Sequence, residues 1–202
     1  MSRRRERDEG KKLGPDTLAR MYKLLSVPMT DFNCGELCAP KNDGSPFCCD
    51  KELTVPLLFK EEYLLHKKRS EFWKRLPRRT RKQKQLAAEF DSNHDFACVC
   101  PGPETCDRDR RALVCRTYPF EPYIDGEDRF VGLAFILDGE HPCPLIEHPE
   151  LHVNSEYVEN SMAYWELVFA LYPEERDVFV EESAKRRERD GDETPFFRPN
   201  GG

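Results

Sequence analysis

The sequence predicts an α+β fold, a small irregular domain whose loops are organised by metal. Three observations predict it: nine cysteines in 202 residues, a thin hydrophobic core, and segments that alternate between helical and strand patterns. Hydrophobic residues make up 38% and charged residues 35% of the chain, against roughly 45 to 50% and 25% in typical domains. Because ligands that assemble only in the folded state turn binding energy into folding energy, a metal centre would supply the missing cohesion. We expect one β-hairpin and three to four helices.

The expected domain covers residues 16–189, with a mobile charged arm (1–15) before it and a flexible tail (190–202) after it. The first twelve residues carry charges of both signs and lack the apolar stretch of a signal peptide. The longest apolar run, Val131 to Leu137, is far shorter than the roughly 20 residues that span a bilayer. The sequence therefore predicts no secretory leader, no membrane segment and a cytoplasmic location.

The N-terminal half alternates between helical segments and a long loop. Asp16–Leu25 repeats apolar residues at helical spacing and predicts a short amphipathic helix. Residues 26–50 are rich in Pro, Gly, Asn and Cys, which are typical of loops. Glu61–Leu76 again repeats apolar residues at helical spacing, and Pro77 is expected to end that helix. Arg78–Phe90 could continue as a second, strongly basic helix.

The C-terminal half predicts a hairpin followed by helices. Residues 96–116 contain closely spaced prolines and cysteines and are expected to form a loop. Tyr118–Ile124 and Phe130–Leu137 have strand character, and the Asp-Gly pair between them is a hairpin signal. The strongest helix runs over Ser155–Tyr172, where Ser155 can cap the N-terminus. A last helix from Glu174 to about residue 189 is expected to pack with it on the hairpin.

The cysteines fall into two blocks with one further cysteine after them. The first block contains Cys34, Cys38, Cys48 and Cys49, the second contains Cys98, Cys100, Cys106 and Cys115, and Cys143 follows alone. In a reducing cytoplasm, clustered cysteines favour metal or redox roles over structural disulfides. The odd count agrees with this interpretation, since a fully oxidised domain would leave one thiol without a partner. Disulfides remain the alternative.

Soft thiolates suit zinc, copper(I) or iron in clusters, and four of them describe either a structural zinc site or a four-iron cluster. The vicinal pair Cys48-Cys49 is not a usual zinc pair, because neighbouring side chains diverge and more readily serve two metals or two edges of a cluster. Spacing alone leaves the choice between zinc and iron open.

The ordered cysteine pattern resembles the YkgJ-like cysteine-cluster family, which is described as a zinc- or iron-chelating domain. The resemblance covers about residues 31–145 and includes Cys34-x3-Cys38, Cys48-Cys49, Cys98, Cys106, Cys115-Arg116-x-Tyr118-Pro119-Phe120 and Cys143. Two features depart from the family: Arg111-Ala112 stands where members have an Arg-Pro step, and the spacer between Cys38 and Cys48 is long. Cys100 has no counterpart in the family and is expected to be a buried thiol that does not bind metal.

The resemblance implies a metal-binding protein whose eight matched cysteines are the ligands. These are Cys34, Cys38, Cys48, Cys49, Cys98, Cys106, Cys115 and Cys143. The analogy and the vicinal pair favour an iron–sulfur cluster, most simply 4Fe-4S, with an electron-transfer, redox-sensing or accessory role. A zinc-binding interaction module is the alternative. Some relatives act as lysine N-methylases, so a protein-modifying enzyme is a further alternative, although the chain has no recognisable site for a methyl donor.

Residues beside the cysteines could tune such a site. Four arginines flank Cys106 and Cys115, namely Arg108, Arg110, Arg111 and Arg116. Arg116 is the one expected to act as a second-shell donor to the metal-bound thiolates. Three histidines lie near the cysteine blocks and could replace a thiolate: His94, His141 and His148, of which His141 is the best placed.

The charges are unevenly distributed along the chain. Residues 60–84 hold eleven Lys and Arg against three Glu, whereas the whole chain has a net charge of −6. This basic segment could bind an unknown acidic protein partner, and nucleic-acid binding is not expected, because its aromatic residues more readily face the core. No catalytic motif of a hydrolase, phosphate-binding enzyme or metalloprotease is present, so whether the chain has an activity of its own stays open.

Overall fold

The computed structural model describes residues 13–51, 54–69, 72–106, 108–136, 143–147, 152–191 and 196–199. The predicted α+β class is confirmed for these residues. The helices are α1 (Pro15–Leu24), α2 (Gly35–Cys38), α3 (Lys60–Arg69), α4 (Arg81–Phe90), α5 (Leu113–Thr117), α6 (Pro144–Glu147), α7 (Ser155–Leu171) and α8 (Pro173–Asp190). The strands are β1 (Leu57–Phe59), β2 (Lys74–Arg75), β3 (Asp95–Val99), β4 (Phe120–Ile124), β5 (Phe130–Phe135) and β6 (Phe196–Phe197). The described chain therefore has more helices than the three to four predicted.

The strands form two small antiparallel sheets. The first has the order β1-β3-β2, and the second has the order β4-β5-β6. The predicted hairpin is confirmed as the β4–β5 pair, in which Phe120 pairs with Phe135. Its turn is closed by Asp125, whose carboxylate accepts the backbone N–H groups of Glu127 and Arg129 at 3.0 and 2.8 Å.

Helix α7 is the main packing helix and contributes to two apolar clusters. Tyr164 and Val168 pack with Leu18 and Met21 of α1, in a cluster that also contains Leu113 of α5. Nearer its start, α7 supplies Tyr157 and Val158 to a cluster with Phe120, Leu133, Phe135 and Leu145. The amphipathic pattern of α1 is thus confirmed, because its buried residues are those at helical spacing.

Helix α8 packs on the hairpin, as predicted. The backbone N–H of Ile124 donates to Ser183 Oγ at 3.0 Å, and Arg186 forms an ion pair with Glu121 of β4. None of the helices in the described part of the chain has the length and apolar character that a bilayer-crossing segment requires.

The helix predicted over Glu61–Leu76 is wrong in its last third. Helix α3 ends at Arg69, and Lys74–Arg75 form strand β2, which pairs with β3. Trp73 is only 3% exposed, and its indole N–H donates to the carbonyl of Arg110 at 3.0 Å. Burying an indole with its N–H bonded and pairing the next two residues with β3 outweigh the helical pattern of the sequence.

Three other predictions need correction. The loop expected over residues 96–116 contains most of strand β3 and the first part of α5. The N-cap of α7 is Asn154 rather than Ser155, since Asn154 Oδ1 accepts the N–H of Glu156 at 3.0 Å. In the predicted tail, β6 pairs with β5, and the Phe197 ring packs edge-on against two rings of the hairpin.

Candidate metal centre

The loop between α1 and β1 folds into short helical turns that carry four of the predicted ligands. Cys34 precedes α2, Cys38 ends it, and the vicinal pair Cys48-Cys49 lies on a single 3₁₀ turn. Gly35 permits the close approach of these turns, because a Cβ at this position would lie 2.9 Å from Pro46 Cγ.

Polar side chains close this loop locally. The Asn42 amide donates to the carbonyl of Ser45 and to the carboxylate of Asp50, both at 3.1 Å. Asn33 donates to Glu36 at 3.0 Å across the start of α2. Such short-range bonds from Asn side chains replace regular backbone pairing in a segment that prolines and glycines keep out of longer helices.

A cavity of about 620 Å³ opens beside these turns. Six of the eight predicted ligands line it: Cys34, Cys38, Cys48, Cys49, Cys115 and Cys143. The last two arrive from α5 and from the residue before α6. Arg111 and Arg116 also line the cavity, together with Tyr157 of α7. The fold therefore brings thiols from three distant parts of the sequence to one cavity.

The thiols surround the cavity without forming a closed ligand shell. The sulfurs of Cys48 and Cys49 are 3.9 Å apart, and the Cys38 thiol donates to the carbonyl of Gly35 at 3.6 Å. Among the described residues, which include all nine cysteines, no three sulfurs lie within 4.8 Å of one another. The structure joins none of these nine residues by a disulfide.

Two further cysteines lie close to this group. The Cys100 thiol approaches the carbonyl of Cys49 at 3.9 Å, and Cys106 raises the pKa of Cys115 by electrostatic repulsion that adds to the larger effect of burial. Electrostatic repulsion from Cys49 and from Cys100 likewise raises the pKa of Cys106. Cys100, which the sequence set aside, therefore lies beside the vicinal pair.

Cys98 does not line the cavity, although Cys115, which does, packs against the same apolar cluster. Cys98 is fully buried on β3 in this cluster with Leu58, Trp73 and Ala112, and its thiol approaches the carbonyl of Phe96 at 3.5 Å. Burial raises the pKa of Cys98 to about 12. Without a bound metal, the Cys98 thiol packs as a small hydrophobic residue, and its role as a ligand stays a prediction.

Arg111 is the cation that faces the thiols. It opposes the rise that burial causes in the pKa of Cys34 and Cys106. A hydrogen bond between the Cys48 and Cys49 sulfurs, together with Arg111, lowers the pKa of Cys49 to about 7, while the same bond raises the pKa of Cys48. The vicinal pair therefore holds one thiolate at neutral pH more readily than an isolated cysteine does.

Arg116, the predicted second-shell residue, fixes the backbone around the cavity. Its guanidinium donates to the carbonyls of Arg111 and Leu25 at 3.1 and 3.3 Å and lies 4.9 Å from the ring centroid of Tyr22. It thereby links the end of α1 to α5. The sequence named Arg111 only as one of four flanking arginines, and no local signal distinguished it.

None of the histidines in the described residues lines the cysteine cavity. His94 lies elsewhere, beside Asp95 and Glu175, and the other two candidates, His141 and His148, fall outside the described residues. The carboxylate partner Glu175 was not singled out by the sequence, because it is 81 residues away from His94 and carries no motif.

The chain matches no protein-family model, no curated protein and no solved structure.

Proposed function

We propose that this chain binds an iron–sulfur cluster, most simply 4Fe-4S, through thiolates around the cysteine-lined cavity. The observation that carries the proposal is the convergence of six cysteines on one cavity beside Arg111. Thiolates are the ligands that such clusters require, and four are enough to hold one. The resemblance to the YkgJ-like family, quoted above on the cysteine pattern, favours the same chemistry.

The chain's own residues would supply binding, charge balance and enclosure. Cys34, Cys38, Cys48, Cys49, Cys115 and Cys143 are the candidate ligands, with Cys106 and Cys100 close to them. Arg111 would offset the negative charge that accumulates when several thiols ionise together. Bound there, a cluster would supply one-electron chemistry, which suits electron transfer or the sensing of oxidants.

The spacing of the sulfurs supports a polynuclear cluster over a single ion. Zinc bound to four cysteines through bonds of about 2.3 Å holds every pair of sulfurs within about 4 Å. No three sulfurs in the described chain meet that distance. A four-iron cluster attaches each thiolate to a separate metal atom, so it holds its ligands farther apart than a single zinc ion does.

Structural zinc is the second candidate, and one distance favours it. The 3.9 Å between the sulfurs of Cys48 and Cys49 matches one edge of a tetrahedral zinc site. Zinc in such a site would hold the loop between α1 and β1 in place, and the surface around it would carry the function.

Metal analysis of protein purified without oxygen separates these candidates. We expect a brown protein with broad visible absorbance and with iron and sulfide in comparable amounts per chain. A colourless protein with stoichiometric zinc would support the second candidate. Protein that contains neither metal, after expression in iron- and zinc-replete medium, would contradict both.

A matched pair of variants tests which cysteines bind the metal. Cys115→Ala removes a thiol that lines the cavity, and Cys98→Ala removes one that lies in the apolar core of the first sheet. We expect Cys115→Ala to lose most of its metal and Cys98→Ala to keep it, both variants being shown to be folded by circular dichroism. Equal metal loss in the two variants would count against the cavity as the site.

A further inference from the structure

A second group of metal-ligating side chains lies where β3 and α8 begin. His94 Nε2 is 2.9 Å from Glu175 Oε1 and 3.3 Å from Asp95 Oδ2. One ligand atom from each of the three residues lies within 4.8 Å of the other two. Two of these residues precede or begin a strand of the first sheet, and the third is in the first turn of α8.

The three side chains are largely buried and held in orientation. The His94 side chain is 8% exposed, and its ring stacks on Tyr172 with 4.2 Å between centroids. Ser92 Oγ accepts the backbone N–H of Asp95 at 2.9 Å and also contacts Asp95 Oδ2 at 3.1 Å. These contacts fix a ring and a carboxylate independently of any bound ion, as second-shell contacts do in metal sites.

The charges of the group are not balanced by its own members. A single imidazole nitrogen faces two carboxylates, and one N–H cannot donate fully to both. The other ring nitrogen, His94 Nδ1, is buried and has no hydrogen-bond partner in the described part of the chain; the nearest carboxylate oxygen, on Glu174, is 3.6 Å away. An ion that accepts one lone pair from each of the three residues would bind both carboxylates and Nε2 at once, which one shared proton does not do, and Nδ1 would then carry the ring proton on the side of Glu174.

We propose that His94, Asp95 and Glu175 form a binding site for a divalent transition-metal ion, separate from the cysteine cavity. One imidazole nitrogen and two carboxylate oxygens suit Mn²⁺, Fe²⁺ or Zn²⁺. Metal–ligand bonds of about 2.1 Å place neighbouring ligands about 3.0 to 3.4 Å apart, close to the two distances found here. The third separation, between the Asp95 and Glu175 oxygens, is within 4.8 Å.

The surroundings leave room for further ligands. Asp95 and Glu175 both line a cavity of about 220 Å³ that runs between the first sheet and α7. Three protein ligands leave coordination positions open, and the cavity beside Asp95 and Glu175 can hold water there. The bound ion would also join the first sheet to α8, because its ligands come from both.

Manganese is the probe that distinguishes this site from the thiols. Mn²⁺ prefers carboxylate and imidazole ligands, whereas thiolates select softer ions. The full-length chain is titrated with Mn²⁺, and the electron paramagnetic resonance signal of the aqueous ion reports the unbound fraction. We expect one Mn²⁺ bound per chain and a higher melting temperature in its presence. If the wild-type chain removes no Mn²⁺ from solution, the proposal is wrong.

Two acidic residues of α8 provide a matched pair of variants. Glu175→Gln should weaken Mn²⁺ binding at least about tenfold. Asp177→Asn removes the same charge from an exposed position on the same helix and should change binding less than about threefold. Equal affinities in Glu175→Gln and wild type would mean that the three residues form only a structural ion pair.

Two further variants control for loss of folding and for effects of one site on the other. If Glu175→Gln melts at a much lower temperature without metal, Asp95→Asn replaces it as the test, with the same expected loss of Mn²⁺ binding. Cys115→Ala should leave Mn²⁺ binding unchanged, and Glu175→Gln should leave the sulfide content and the visible absorbance of the thiolate-bound cluster unchanged. The two sites can therefore fail independently of each other.

Discussion

Glu62 is a fully buried carboxylate that holds three elements together. Its Oε1 accepts the Tyr22 hydroxyl at 2.6 Å and the backbone N–H of Leu113 at 2.8 Å, while Oε2 accepts the N–H of Phe59 at 3.3 Å. The Tyr22 oxygen also lies 2.7 Å from His66 Nε2. Burial raises the pKa of Glu62 to about 7, against 4.5 for an ordinary glutamate, because these bonds only partly replace the lost water.

This raised pKa predicts a loss of stability with rising pH. Between about pH 4.5 and pH 7, the native chain keeps a proton on Glu62 that the unfolded chain has released. The free energy of unfolding should therefore fall as pH rises through this window, by on the order of 3 kcal/mol. Glu62→Gln, which cannot ionise, should lack this component when metal-free, reduced protein is unfolded with urea at a series of pH values.

The neighbouring Glu61 gives the control for this measurement. Glu61→Gln should retain the pH dependence of the wild type, because it leaves the buried carboxyl in place. Glu62→Gln also loses a bond to the Phe59 N–H, but that loss is the same at every pH and does not change the slope. Parallel stability curves for wild type and Glu62→Gln would show that Glu62 is not the group responsible.

At the scale of single residues, the sequence predicted the cysteine convergence better than the identity of each ligand. The blocks and the vicinal pair indicated a shared site, and six of the eight named cysteines line one cavity. Cys98 was predicted to be a ligand and Cys100 a buried thiol that binds no metal; both are buried, and Cys100 is the one that lies beside Cys49. The roles of Arg111 and Glu175 depend on contacts between segments that are distant in sequence, and the local spacing of residues does not indicate such contacts.

At the scale of elements, the sequence predicted those whose pattern arises locally. The turn of the β4–β5 hairpin is marked in the sequence by an Asp-Gly pair. Helices α7 and α8 are long enough to show a helical pattern of apolar residues, and Pro173 marks the boundary between them. Strand β2 was missed because two residues are too few to show the alternation of apolar and polar side chains that is typical of a strand. It forms only through its pairing with β3. The short helices beside the cysteines were missed because tertiary contacts, rather than propensity, stabilise helices of four or five residues.

The ion pair between Arg186 and Glu121 predicts how firmly α8 is attached to the hairpin. Their side chains are 9% and 15% exposed, and Arg186 Nε also donates to Glu121 Oε1 at 3.1 Å. Arg186→Ala leaves a buried carboxylate without its partner and should lower the free energy of unfolding by about 3 to 5 kcal/mol. Urea unfolding followed by circular dichroism measures this change.

Two comparisons separate the ion pair from general effects of mutation in α8. The double variant Arg186→Met with Glu121→Leu removes both charges and should recover most of the lost stability. Lys185→Ala breaks an exposed pair with Glu182 on the same helix and should lower stability far less than Arg186→Ala does. Similar losses in Lys185→Ala and Arg186→Ala would argue against a special contribution from the buried pair.

At the scale of the whole molecule, the fold uses part of the basic segment 60–84 for its own structure. Arg75 and Arg78 both pair with Asp91, and the Arg75 guanidinium lies 3.8 Å from the ring centroid of Phe96. Phe72 and Trp73 pack against each other and against the core. These rings therefore have partners within the fold, and binding of an acidic protein to the exposed cations of α4 stays a prediction.

The cysteine cavity connects parts of the chain that are far apart in sequence. Its thiols come from residues 34–49, from α5 and from Cys143, and the turns that carry the first four have few buried apolar residues of their own. A metal bound there would restrain the loop between α1 and β1 against both other segments. The rest of the fold has separate apolar clusters, so it should persist without metal.

Metal removal should therefore lower stability without unfolding the chain. At saturating metal, binding to the native state alone contributes about 3 kcal/mol, which for a chain of this length raises the melting temperature by about 6 to 12 °C. We expect metal-free, reduced protein to melt lower by this amount and to be cleaved first within residues 26–50 during limited proteolysis. Cys115→Ala should behave like the metal-free protein in both assays and should not respond to reconstitution. If metal-free and metal-loaded wild type melt at the same temperature and are cleaved at the same sites, the cavity does not hold the metal.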